Sequence, residues 1–282
     1  MVASRFLLAR AALAAMFLAS TGCSVIVKTD AEQCTADADC AARGAEFADT
    51  VCVEHVCQTK PDPKWGCIGH VEPPKSGSMI TASIQLVDIV SEAPATNVTV
   101  KLCSKYDPSC DSPLGMPTVG ADGFVSAMIP SDFQGYFDIQ GPGYMPALTF
   151  IDGTNTDTNP EVLLVPPGIA ASLAAGAKVM LDPQAGLVLS RTVDCKGQAS
   201  PGVSVSIFPS VKETRFYVIA SGVSPGATAT DNDGNSGFVN VAPGTPTITA
   251  TLGQGGKEIG KITTLVRAGS LTYQLVAPTP NQ

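Results

Sequence analysis

Histidine is almost missing from this chain: there are two, His55 and His70, in 282 residues. It is the one side chain that titrates near neutral pH without help from its surroundings. General acid–base chemistry through histidine, or a His-rich metal cage, therefore has little to build on. Charge is scarce too, at 15% of residues against roughly 25% in ordinary soluble domains. The 17 Lys and Arg are outnumbered by 25 acidic residues, for a net charge of −8. Phosphate affinity needs clustered positive charge, so a nucleic-acid partner is not expected. The sequence lacks G-x-S-x-G, H-E-x-x-H and a P-loop GK[ST] motif, each of which sets up a particular reactive geometry. The reading is of a protein that is not an enzyme and needs no cofactor or bound metal. What the chain has in quantity is 44% apolar residues, 27 Gly, 22 Pro and nine Cys. That is enough apolar material for cores, so wholesale disorder is not expected.

The first 22 residues, MVASRFLLARAALAAMFLASTG, hold Arg5 and Arg10, an apolar run from Ala11 to Ala19 and no acid. This is the layout of a secretory signal. The run is shorter than the roughly 20 apolar residues a spanning helix needs. Small residues, Ser20-Thr21-Gly22, lead into Cys23. The segment resembles a bacterial lipobox, with Ser20 where that pattern prefers Leu, and the resemblance implies a diacylated Cys23 at the new N-terminus. Acyl chains contribute about 0.8 kcal/mol per buried CH₂, so the partner expected first is a membrane, reached through the lipid anchor. Loss of the signal would deepen the charge from −8 to −10, since both arginines leave and no acid does. Ser24 follows the cysteine. By resemblance to Gram-negative lipoprotein sorting, the lack of Asp there implies the outer membrane, facing either periplasm or cell surface.

Export decides how the other eight cysteines are read, because an oxidising compartment pairs even sets as disulfides. They are Cys34, Cys40, Cys52, Cys57, Cys67, Cys103, Cys110 and Cys195, and eight cysteines allow more than a hundred pairings. Four fall within residues 34–57, where few apolar residues occur, so two bridges inside that stretch would supply what burial cannot. Cys103 and Cys110 bracket a turn signal, Asp107-Pro108, and a local bridge is expected there. Cys67 and Cys195 are then left for each other. The competing reading is a zinc site drawing on Cys52, His55, Cys57, Cys67 and His70. It needs the same sulfurs.

The body of the chain alternates apolar and polar residues at period two. Val98-Thr99-Val100-Lys101-Leu102 and Phe124-Val125-Ser126-Ala127-Met128-Ile129 are examples. Short β-branched runs separated by Pro, Gly, Asn and Asp predict an all-β fold of antiparallel sandwiches. One stretch differs: Pro166 to Lys178 is Ala-rich with two leading prolines, the composition of a short helix with Pro at its start. Around it the text runs twice through a strand, a loop, an Asp-Gly hairpin signal and a further strand. The division expected is a signal at 1–22, an anchor region with a Cys-rich module at 23–60, a first sandwich at 61–165, a helical connection at 166–184 and a second sandwich at 185–282.

The second half carries a fuller pattern. Val193-Asp194-Cys195-Lys196-Gly197 leads to Pro201-Gly202-Val203-Ser204-Val205. Then come Thr230-Asp231-Asn232-Asp233-Gly234 and Gly237-Phe238-Val239-Asn240-Val241-Ala242-Pro243-Gly244. This order of turns and strands resembles the carboxypeptidase regulatory-like domain, a transthyretin-like β-sandwich. The resemblance implies a non-catalytic stabilising, spacing or binding module on an exported protein.

Few positions suggest a ligand. Asp231-x-Asp233-Gly234 lacks the Glu an EF-hand loop needs, since Ala242 holds that place, and reads as a hairpin turn. The polar loop 152–159 offers Asp152 and Asp157 to a cation or to sugar hydroxyls, though Asx-turns use the same oxygens. Tyr136 and Tyr144, beside Gly-Pro turns, are candidates for an aromatic platform, with corner packing as the alternative. A carbohydrate- or peptide-binding surface protein, with an envelope protein or glycan as partner, is thus the reading set against a purely structural envelope role.

Overall fold

The computed structural model describes residues 32–60 and 62–280, and Cys23 and the signal segment lie outside them. The chain forms two compact units divided at Pro61 and Asp62.

In the first unit a short helix, α1 (Asp37–Ala41), precedes a hairpin of β1 (Thr50–Val53) and β2 (Val56–Thr59). Its fully buried apolar residues, among those described, are Cys34 and Cys40. They bond to Cys52 and Cys57 respectively. Two crossing disulfides thus stand in for a core, as a module of this size requires.

The second unit holds β3 (Met79–Asp88), β4 (Thr99–Ser104), β5 (Phe124–Pro130), β6 (Gly135–Gln140), β7 (Ala147–Ile151), β8 (Glu161–Leu164), α2 (Pro167–Gly176), β9 (Gly186–Thr192), β10 (Val203–Phe208), β11 (Thr214–Ile219), β12 (Gly222–Ser224), β13 (Asn235–Val241), β14 (Thr247–Leu252), β15 (Glu258–Thr263) and β16 (Leu271–Val276). Pro167 opens α2, where its missing N–H costs nothing.

The strands follow one plan twice. In the first half β3 lies between antiparallel β5 and parallel β8, while β6 lies between antiparallel β4 and β7. In the second half β9 lies between antiparallel β13 and parallel β16, while β14 lies between antiparallel β10 and β15. Taken in chain order, the six strands of each half have the same neighbours in the same sense. The β11–β12 hairpin is an addition on the edge of β13.

Turn chemistry is repeated as well. Asp88 Oδ1 accepts from the N–H of Val90 and of Ser91, each at 2.8 Å. Asp194 Oδ1 accepts from Lys196 N at 2.8 Å and Gln198 N at 3.0 Å. Gly123 and Gly234, at φ 78° and 68°, bring their carbonyls to Leu86 N and Thr192 N at 3.0 and 2.9 Å. A Cβ there would come within 2.6 and 2.4 Å of a β3 or β9 carbonyl, so the left-handed conformation and the close approach both demand glycine. These Asp-Gly turns do not close hairpins. Each delivers the chain to β5 or β13, which pairs with β3 or β9 and not with the strand just left, β4 or β12, while β11 takes the other edge of β13. Sheet pairing was decided by distant strands, against the local signal.

The halves are joined where β7 pairs parallel with β16. The result is one eight-stranded sheet, in the order β12-β11-β13-β9-β16-β7-β6-β4. Two three-stranded sheets, β5-β3-β8 and β10-β14-β15, complete the fold. The fold is all-β with sandwich packing, but three pairings, β3–β8, β9–β16 and β7–β16, are parallel where the sequence predicted antiparallel strands only.

Alternation along the large sheet distinguishes its faces. Phe137, Ile139, Leu187, Leu189 and Tyr273 pack with Ile84 and Leu86 of β3, Val162 of β8 and Ala170 and Ala174 of α2. Val188, Tyr217, Phe238 and Val276 pack with Val203, Ile248 and Ile259 of the other small sheet. The small sheets therefore cover opposite faces. Residues 62–70, grouped by sequence with the first sandwich, pack into the second. Trp65 and Ile68 enter its core, and Cys67 is bonded to Cys195.

Candidate functional site

β7 and β16 run side by side in the same direction, so their C-terminal ends lie together. Beyond those ends the two chains part. After β7, residues 152–160 climb to β3, where Thr158 N donates to Thr81 O at 3.1 Å and Thr158 O accepts from Ser83 N at 2.9 Å, and lead into β8. After β16, the tail turns to the opposite face and lies on the edge of β15, with Thr279 N donating to Ile259 O and Thr279 Oγ1 accepting from Lys261 N, both at 3.3 Å. Adjacent parallel strands whose continuations leave to opposite faces open a crevice at their carboxyl ends, the geometry that places ligand sites in open parallel sheets.

Such a crevice is present here, as two adjoining hollows of about 490 and 660 Å³ that share Phe150, Asp152, Gly153, Ile262, Thr279 and Pro280. Its walls are chiefly apolar in the smaller hollow, with polar groups at a few points, as in ligand sites generally, and mixed in the larger. Gly153 keeps it open against the 73–75 segment, since a Cβ there would meet Pro74 Cγ at 2.7 Å.

Asp152 lies where the hollows meet. Asp152 is itself exposed, yet the surrounding protein displaces enough water to push its carboxyl up from 3.8 to about 6, with Lys105 acting in the opposite direction. Burial disfavours the charged form, and an unpaired carboxyl responds by holding its proton. The consequence for stability has a definite sign. Below pH 3.8 both folded and unfolded forms carry the proton. Between 3.8 and 6 the unfolded chain loses it first, so stability falls as pH rises and levels off above 6. Asp152→Asn cannot ionise. Its thermal midpoint should match the parent's below pH 4 and exceed it by about 2–4 °C above pH 6, the shift for roughly 1 kcal/mol in a domain of this size, exposure having reduced the full linkage energy. Equal midpoints at pH 7.5 in differential scanning calorimetry would show that the carboxyl is not held in this state.

The other residues singled out from sequence have different places. Asp157 Oδ1 accepts from Thr81 N at 2.8 Å and so ties the loop to β3. Asn155 does likewise for the 73–75 segment, through Lys75 N at 2.7 Å and Pro73 O at 2.9 Å. Tyr136 is 0% exposed, so it offers no platform. Its ring stacks on Phe150 at 5.3 Å, and its hydroxyl donates to Asp107 O and accepts from Arg267 Nη2 at 2.8 Å. Tyr144 is partly buried and donates its hydroxyl to Asp88 at 2.7 Å. That bond, with the N–H groups of Ser91 and Val90, holds the Asp88 carboxyl down at about 2. Corner packing accounts for both tyrosines.

The zinc reading is overturned, because Cys52, Cys57 and Cys67 are all bonded to other cysteines. A sulfur in a disulfide is not a thiolate ligand. His55 and His70 are exposed. Cys103 is bonded to Cys110. Asp231 and Asp233 form an Asx-type turn, with Asp233 N donating to Asp231 Oδ1 at 3.1 Å.

Two polar groups of the cleft escaped the sequence reading. Gln274 is 2% exposed, yet its Oε1 meets no donor. Its Nε2 donates to Leu275 O at 3.0 Å, which fixes the amide's orientation. Thr264 Oγ1 is likewise buried without a partner. Both line the cleft. The only trace in the sequence is a glutamine and a threonine at positions where alternation calls for apolar residues.

No known protein family matches this chain, and no curated protein is similar to it in sequence. Among solved structures, the Bacillus anthracis TIE protein is similar over 71% of this chain at 11% identity and TM-score 0.26, and this chain spans about a third, 34%, of its length. The shaft pilin SpaA of Lactobacillus rhamnosus GG, in a double-mutant form, is covered in full at 15% identity and TM-score 0.26, over 73% of this chain. BcpA, the major pilin subunit of Bacillus cereus, is covered in full at 9% identity and TM-score 0.26, over 72% of this chain.

Proposed function

We propose that this chain is a non-catalytic, exported cell-envelope protein of structural or interaction type. Acyl chains on Cys23 would hold it to the outer membrane. The Cys-rich module follows the anchor, and two β-sandwich halves carry the interacting surface, the second of them, 185–282, resembling the carboxypeptidase regulatory-like kind. The observation that carries this reading is that all eight cysteines between 34 and 195 are paired in four disulfides. A reducing compartment would keep them open, and the signal-like first 22 residues supply the route out. Among the described residues no helix is long and apolar enough to cross a membrane. The cleft at Asp152 favours, as a second reading, a peptide-binding surface protein. A glycan partner loses the aromatic row it would need, since Tyr136 is buried and Tyr144 is engaged.

Expression in a Gram-negative host with an alkyne-palmitate label tests the anchor. The parent should be labelled and recovered with outer membranes, and Cys23→Ser should be unlabelled. A parent that is exported unlabelled, with its N-terminus beyond Cys23, would refute the lipid anchor and leave the exported sandwich protein.

A further inference from the structure

The acceptors gathered in the cleft have too few donors. Gln274 Oε1 on the lining of one hollow meets none, Thr264 Oγ1 on the lining of the other has no partner, and Asp152 borders both, the first with chiefly apolar walls and the second mixed. A buried acceptor without a donor costs roughly 1–3 kcal/mol, and each such group in a folded protein calls for an explanation. From this geometry we infer that the cleft is a binding site for a primary ammonium on an apolar stem, the chemistry of a lysine side chain presented by a peptide.

Charge and shape argue for that ligand over others. The titratable groups bordering the cleft are Asp152, Glu72 on the 71–74 segment, Lys105 and Tyr106 after β4, and Lys261 on β15. Lys105, Tyr106 and Lys261 border one hollow and Glu72 the other, with Asp152 common to both. Glu72 is matched by Lys75, whose Nζ lies 3.6 Å from its Oε2, so the negative charge a cation would meet on that side is the one on Asp152. The apolar wall there, which includes Ile84, Ile151 and Val276, suits an alkyl stem. An ammonium has donors and no acceptors. It would pair with the Asp152 carboxylate, which is ionised above about pH 6 and accepts no hydrogen bond from the surrounding side chains among the described residues. A neutral sugar would want stacking faces; Phe150, the ring shared by both hollows, is already stacked on Tyr136, and Tyr106, exposed at the second hollow, has Lys105 Nζ 5.1 Å from its ring centroid. This inference does not depend on the lipid anchor.

The test uses the oxidised chain Cys23–Gln282 with two probes, Nα-acetyl-lysine methylamide and its norleucine counterpart, followed by NMR titration at pH 7.5. The lysine probe should bind at about millimolar Kd, a modest affinity for a small probe, and at least tenfold more tightly than norleucine. Its binding should weaken about tenfold between pH 7.5 and pH 5 as Asp152 takes up its proton. The carboxyl resonance of Asp152 should titrate at lower pH when the probe is present. Asp152→Asn, which keeps the fold by its circular dichroism, should lose the preference for lysine. Equal binding of the two probes, equal binding by parent and Asp152→Asn, or no binding at tens of millimolar would overturn the inference. So would a neutral disaccharide that binds where lysine does not.

Discussion

Replacing Arg267 with alanine is expected to destabilise the protein by about 3–5 kcal/mol, the range for removing one partner of a buried pair. Arg267 follows β15 in the second half, and every hydrogen-bond partner of its guanidinium lies in the first. Nη1 donates to Asp138 Oδ2 at 2.6 Å, Nη2 to the Tyr136 hydroxyl at 2.8 Å and Nε to Pro108 O at 2.8 Å. The guanidinium also lies 5.4 Å from the Tyr136 ring centroid. Asp138 is 2% exposed. With the arginine gone, its charge has no counter-ion and no water, and that uncompensated burial makes up most of the cost. Lysine cannot restore the fork of donors, so Arg267→Lys should recover only part of the loss. Asp138→Leu with Arg267→Met removes both charges and should be far less harmful than Arg267→Ala alone. Urea unfolding of the three variants measures this. A loss below 1 kcal/mol for Arg267→Ala would mean that the clamp between the halves contributes little.

The second large effect concerns Cys67–Cys195. This bridge spans 128 residues, and loops of that size give disulfides their largest effect, about 4–5 kcal/mol in the chain-entropy account. The Cys67→Ala, Cys195→Ala double variant should unfold at correspondingly lower denaturant. The bridge also holds a local structure. Lys64 O accepts from Cys195 N at 2.9 Å, and Trp65 beside it is buried in the core of the second half. Trp65 is the chain's one tryptophan, so its fluorescence reports on this segment alone. The double variant should emit at longer wavelength before global unfolding, as residues 62–70 detach and the indole meets water. Unchanged emission together with an unchanged midpoint would show that packing of Trp65 and Ile68 suffices without the bridge.

Much of the architecture was legible in the residues. Period-two alternation marked the strands because one side of each faces a core. The Ala-rich run with leading prolines marked α2, where no β-branched side chain but Ile169 opposes a helix. Glycine at 123 and 234 marked turns because only glycine tolerates both the backbone angle and the neighbouring carbonyl. The site was barely legible. Asp152 stood out with Asp157 in one polar loop, but sequence could not separate the carboxyl that faces a cleft from the one that binds Thr81 N. Because their neighbours are turn residues, sequence left corner packing, the favoured reading, and an exposed platform both open for Tyr136 and Tyr144. What lies over them, Arg267 and the 103–110 loop for one and Asp88 for the other, comes from elsewhere in the chain.

The sequence by itself determined that this protein is all-β, turn-rich and disulfide-tied, because these properties depend on local periodicity, backbone angles and composition; that its halves share one strand plan was shown by the pairing. Tertiary structure alone decided that β7 joins β16, that the small sheets lie on opposite faces, and that the chains diverging beyond those two strands leave a cleft with unpaired acceptors. Alternation says that a residue faces one side of a sheet; it carries no information about what covers that side. Here the answer came from pairings between segments more than a hundred residues apart, such as Leu271 with Ala147 and Arg267 with Asp138.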